Sequence, residues 1–145
     1  MTNNQSGSAG YSGTPLVRKI GIKAGHRLRF SGRPEGWELP GLPEQVTEFD
    51  TEVRAEDSPE ADVVLAFFRE LTVLRAASSK LALELDDRAM LWIAWPRKAA
   101  GHRSDITENS LRELLLPLGL VDVKVAALDH DWSGLKFVRR KENRG

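Results

Sequence analysis

The sequence predicts an α/β fold whose mostly parallel sheet ends in an antiparallel hairpin. Three observations carry that prediction. Two nearly continuous apolar runs, ADVVLAFF (61–68) and MLWIAWP (90–96), read as strands buried on both faces, as parallel strands are. Each is followed by a stretch with apolar residues at three- and four-residue spacing, the mark of a half-buried helix. Finally, VDVKVAAL (121–128) and LKFVRR (135–140) lie too close together for a crossover, so they pair antiparallel.

The elements follow in order. Residues 1–10, rich in Asn, Ser and Gly, read as a disordered leader, residues 11–141 as one α/β domain, and 142–145 as a charged tail. Thr14-Pro15 opens a short helix, with a hydroxyl N-cap, Pro at the first helical position and Gly21 as the stop. HRLRF (26–30) is a short strand. SGRPEGWELPGLPE follows as a loop, because Pro34, Pro40 and Pro43 forbid a long helix. Val46 to Asp50 is a second short strand. After the first buried run, Leu71, Leu74, Ala77, Ser78, Leu81 and Leu85 form the apolar face of a helix over roughly 70–85. Pro96 ends the second buried run. A basic loop, RKAAGHRSD, leads to a helix capped by Asp105 or Thr107, with Leu111, Leu114, Leu115 and Leu118 on one face, Pro117 cutting its last turn and Gly119 ending it. The hairpin turn DHDWSG is explained by Asp129 bonding nearby backbone, Gly134 at positive φ and Trp132 as a packing lid.

This alternation means helices packed on a sheet with right-handed crossovers. The second half looks like the C-terminal half of a Rossmann-like methyltransferase sheet, and the first half is a degenerate version of that plan. Fold alone does not assign a function.

Composition narrows the chemistry. A chain of 145 residues, 41% hydrophobic and 29% charged, suits one soluble domain with a single sizeable core. With no cysteine, disulfides, thiolate catalysis and cysteine-bound zinc are excluded. No apolar run approaches a membrane span and the N-terminus lacks signal-peptide features, so cytoplasmic residence without a membrane partner is expected. Charge is balanced, 21 basic against 21 acidic residues, but segregated. Arg18, Lys19, Lys23, Arg27, Arg29 and Arg33 occupy an acid-free stretch, whereas 35–62 holds ten acids and one base. The simplest expectation is that the two blocks face and screen each other.

Several chemistries can be argued down. Gly32 and Gly36 follow the first strand and Asp50 lies near the distance of a ribose-binding acid, as in nucleotide or S-adenosylmethionine sites. The fingerprint G-x-G-x-x-G is absent, however, and the helix whose N–H groups would bind an anion is replaced by the proline-broken loop. Asp129, His130 and Asp131 are metal-ligand types, but neighbours in a turn point apart, so no metal is expected. Ser133-Gly134 lies between strands rather than at a strand-to-helix elbow, so no catalytic serine is assigned. Four tryptophans and basic ends lack a nucleic-acid-reading motif, and nucleic acid is kept only as an alternative partner.

The segments YSGTPLVRKIGIKAG, WIAWPRK, GLVDVKV and WSGLKFVRRK resemble the bacterial family catalogued as Domain of Unknown Function 3052, from about Tyr11 to Lys141. The resemblance implies no reaction; it marks Tyr11 to Leu16, Trp95 to Lys98 and Trp132 to Phe137 as family-defining.

In open α/β sheets ligands bind beyond the carboxyl ends of the strands. The loops after the first, fourth and fifth strands should share that edge. The candidate ligand-binding residues there are Arg33, Trp37, Trp95, Arg97, Lys98, His102 and Trp132, cations and aromatics suited to an anionic or planar partner. The expectation is a non-catalytic protein that binds a small anionic ligand or a protein partner, without a cofactor and without catalytic residues. The alternative is a methyltransferase-like or nucleotide-binding enzyme.

Overall fold

In the computed structural model, residues 14–50 and 60–141 are described. The leader, the charged tail and the start of the Tyr11 motif lie outside them. The elements are α1 (Leu16–Ile20), β1 (Arg27–Ser31), β2 (Thr47–Asp50), β3 (Val63–Phe67), α2 (Leu71–Glu84), β4 (Met90–Pro96), α3 (Glu108–Leu115), β5 (Leu120–Ala127) and β6 (Trp132–Arg139). One-turn 3-10 segments cover Lys98–Ala100 and Leu116–Leu118. Six strands form one sheet in the order β2-β1-β3-β4-β6-β5. The β1–β2, β1–β3 and β3–β4 pairs are parallel, and β6 is antiparallel to both β4 and β5. This is the predicted Rossmann-like α/β fold.

Both apolar runs are buried on both faces, β3 along its whole length and β4 from Leu91 onward. Their alternate residues feed two cores. Val64, Ala66, Leu91, Ile93 and Trp95 face α2 and α3, meeting Leu74, Ile106, Leu111 and Leu115. Val63, Leu65, Phe67, Trp92 and Ala94 face α1 and the loop after β1, meeting Ile20, Ile22, Leu28, Phe30 and Leu39. That loop holds the proline-rich segment and has no helix, so α1 and irregular chain cover the second face.

Several local assignments differ from the sequence reading. Pro15, not Thr14, precedes the first helical residue of α1, and it provides no side-chain cap; Gly21, at φ 96°, ends the helix as expected. Thr107 caps α3 through a reciprocal box with Ser110. Asp105, the other candidate, instead accepts the first backbone N–H of α2, from Leu71, at 2.8 Å and so ties the two helices together.

The hairpin turn is also shorter than expected. Trp132, Ser133 and Gly134 belong to β6, and only 128–131 form the connection. Gly134 is not among the glycines at positive φ. Its missing side chain makes room instead: a Cβ there would lie 3.0 Å from Leu128 Cγ and from Trp92 Cε3. Asp129 plays its expected part, accepting from the backbone N–H of Asp131 and of Trp132 at 2.8 Å each.

The charge blocks meet in part, while Arg29 of the basic block pairs with Glu84 of α2. Arg27 pairs with Asp62, and Arg33 reaches both Glu48 and Asp50. Among the described residues no helix is long and apolar enough to cross a membrane.

Candidate functional site: the carboxyl edge of the sheet

From β1 the chain passes outward to β2, then crosses back to β3 on the other side of β1. The carboxyl ends of β1 and β3 therefore form a topological switch point, the usual ligand crevice of this architecture. Gly32, at φ 67°, leaves β1 there so close to β3 that a Cβ would stand 2.8 Å from the Phe67 carbonyl oxygen. An L side chain is excluded by both backbone conformation and contact.

Four aromatic rings run along the edge from this point. Phe30 and Trp37 meet edge to face at 6.1 Å, Trp37 and Phe67 at 4.9 Å, and Phe67 and Trp132 at 5.1 Å. An arginine closes each end of the row. The Arg33 guanidinium lies 3.9 Å from the Phe30 ring centroid, and that of Arg69 lies 4.9 Å from Trp132. Arg33 also binds the two β2 carboxylates, at 3.5 Å from Glu48 and 3.2 Å from Asp50.

Three loops are fastened to one another here, as their predicted common edge requires. The Trp37 indole N–H donates to Asp129 Oδ2 at 2.8 Å, joining the loop after β1 to the hairpin turn. The Arg97 guanidinium donates to the carbonyls of Asp129 and His130, while its backbone N–H donates to that of Asp131. His102 Nε2 lies 2.8 Å from Asp131 Oδ1. That contact, aided by the nearby charges of His102, His130 and Arg97, holds the Asp131 carboxyl below its ordinary value against a smaller opposing effect of burial.

Five of the seven candidate residues thus gather at the edge: Arg33, Trp37, Arg97, His102 and Trp132. Two do not join them. Trp95, 8% exposed, packs in the core under α2 and α3, on the opposite side of the sheet from Trp132. Lys98 is exposed on its one-turn segment and touches none of the aromatic row. Sequence reasoning missed Phe30, Phe67 and Arg69 and undervalued Asp129. Arg69 carried a usable signal, being the first charged residue beyond the apolar run of β3 and hence at its carboxyl end.

A cavity of about 400 Å³ opens beside the row, lined by Gly32 to Glu38 and by Asp50. Asp50 ends β2 in register with Phe30. A carboxylate there, with an aromatic neighbour and open glycine backbone, suits a ribose diol and a planar base. Backbone donors for a pyrophosphate are another matter: the chain from β1 to β2 contains no helix, so that connection offers no helix N-terminus to the cavity.

The fold is similar to that of solved S-adenosylmethionine-dependent methyltransferases. A methyltransferase of this kind from Aquifex aeolicus superposes with a TM-score of 0.57 at 15% identity, over 84% of this chain and 86% of that one. The Methanococcus jannaschii fibrillarin pre-rRNA processing protein also gives 0.57, at 12% identity over 86% and 73%. A TehB-like methyltransferase from Corynebacterium glutamicum gives 0.54 at 11% identity, over 95% and 90%. No protein-family model matches the chain, and neither does any curated protein.

Proposed function

We propose that the protein is methyltransferase-like in ligand as well as in fold, and that it holds an S-adenosylmethionine-type nucleoside at the switch point. One observation carries this reading: Asp50, at the carboxyl end of β2, shares its cavity with Gly32, Gly36 and Trp37. Asp50 would accept from the ribose hydroxyls and Trp37 would supply the aromatic surface. Such a ligand must displace Arg33 from Asp50. Both side chains are partly exposed, so the pair opposes displacement by only about 0–1 kcal/mol. The absence of a helix after β1 favours a nucleoside over a dinucleotide. When bound, S-adenosylmethionine would supply an electrophilic methyl group; the residues here account for its retention.

A second reading is favoured by the same Arg33–Asp50 pair and by the Trp37–Asp129 bond. Under it, the edge is self-satisfied and non-catalytic, and Arg33 and Arg69 recognise an anionic small molecule or partner. Calorimetry with S-adenosylmethionine, S-adenosylhomocysteine and NAD separates the two. The first reading expects micromolar binding of the adenosyl ligands, weakened at least tenfold by Asp50→Ala and undiminished by Arg33→Ala. No heat with either adenosyl ligand would sink it. The second expects weak or no adenosyl binding and an anion affinity that Arg33→Ala lowers.

We also propose membership of the Domain of Unknown Function 3052 family. Of its signature segments, WPRK spans the end of β4, GLVDVKV leads into and forms most of β5, and WSGLKFVRR forms β6 and its end.

A further inference from the structure

Far from the switch point, two lysines stand directly opposite each other in the hairpin. Lys124 of β5 and Lys136 of β6 are register partners. Both lie on the face that carries α1. Lys136 is the register partner of Trp92, whose indole N–H donates to the Ile20 carbonyl of α1, and Lys124 Nζ donates to the Lys19 carbonyl at 3.1 Å. Lys136 Nζ lies beside the end of α1, 3.8 Å from where a Cβ on Gly21 would be.

Like charges directly opposite in a sheet are destabilising, so such a pair calls for a compensating anion. No carboxylate of the described residues lies within ion-pair distance of either lysine. Asp122, the nearest acid along β5, is turned to the other face and bound to Arg112 of α3 at 2.9 Å. Among the described residues, what faces the pair is the thioether of Met90 from β4 and the backbone of Lys19 and Gly21 at the end of α1. Burial, and then the Lys124 charge, push the Lys136 amine below its ordinary value, as expected for a cation without a counter-charge.

We propose that Lys124 and Lys136 form a second binding site beside the end of α1, one in which the two ammonium groups take a doubly charged oxyanion of the phosphate type. An oxyanion between the two ammonium groups replaces their repulsion with two charge-assisted hydrogen bonds. The site does not depend on the reading of the switch-point cavity.

The test is NMR of the whole protein labelled with 13C-lysine, at constant ionic strength, titrated with inorganic phosphate, with phenyl phosphate or with chloride. The expected result is a saturable change of the Lys124 and Lys136 Cε signals in the millimolar range or below, with the Lys136 titration moving upward toward 10.5. Tighter binding of phenyl phosphate would identify a phosphomonoester as the ligand, and tighter binding of inorganic phosphate the free ion. Lys124→Met should weaken binding at least tenfold, and Lys124→Arg should retain it. Without phosphate, Lys124→Met should also raise the Lys136 titration, a readout independent of the ligand. Equal responses to chloride, or an unchanged phosphate affinity in Lys124→Met, would overturn the proposal.

Discussion

The indole N–H of Trp37 and the carboxylate of Asp129, 92 residues apart in sequence, are joined by a 2.8 Å hydrogen bond across the carboxyl edge of the sheet. Asp129 uses its other oxygen for the backbone of the hairpin turn. One carboxylate therefore shapes the turn and holds the loop that follows β1.

The two roles separate by mutation. Trp37→Phe keeps a ring but removes the N–H, and should cost about 0.5–1.5 kcal/mol. Asp129→Ala strips three donors of their acceptor and should cost more, about 1–3 kcal/mol. Urea unfolding measures both; a larger loss in Trp37→Phe would contradict this division of labour.

Gly134 makes a packing prediction. Gly134→Ala drives a methyl group against Leu128 and Trp92 and should destabilise by about 1–3 kcal/mol. Leu128→Ala alone opens space in the same core at a cost of about 2–5 kcal/mol. Combined, the two should cost less than their sum, since each relieves the defect of the other. A double-mutant cycle in denaturant tests this.

Two carboxylates give the fold an acid limit. Burial opposes ionisation of Asp62, but the Arg27 backbone N–H, the Arg27 guanidinium and the His26 charge outweigh it and hold the carboxyl below its ordinary value. Asp131 is held down mainly by His102. A depressed carboxylate contributes stability that is complete above its unfolded value, near 3.8, and is lost as pH falls through the folded one. Stability should therefore drop below about pH 4. The drop should be shallower in Asp62→Asn and in Asp131→Asn, as thermal melts from pH 2 to 7 would register.

At the start of α3, Thr107→Ala removes the side-chain half of the capping box and should cost about 1 kcal/mol. Asp105→Ala acts on α2 instead. Amide exchange should rise at Leu71 in that variant and at Ser110 in Thr107→Ala.

The strands and helices of the second half were legible because their signals are local. An apolar run identifies β3 and β4, and leucines three and four apart identify α2 and α3. The facing of β4 was not legible, for a physical reason. A strand buried on both sides loses the alternation of polar and apolar residues that tells one face from the other. Trp92 and Trp95 therefore read alike in sequence but enter different cores. The aromatic row was hidden for a related reason. Phe30, Trp37, Phe67 and Trp132 come from four separate segments, and only the sheet order brings them together. Gly134 was misjudged because a glycine chosen for clearance and one chosen for its dihedral angle look the same in a sequence.

The strand order has a consequence for how the chain is made. β6 follows β5 in the sequence, yet it lies between β5 and β4. On the ribosome, both neighbours leave the exit tunnel before the strand that joins them, and each waits with an open hydrogen-bonding edge. Bare edges of apolar strands recruit other chains. A polypeptide interrupted before Trp132 keeps those edges permanently, so premature termination there should yield inclusion bodies rather than a smaller folded product.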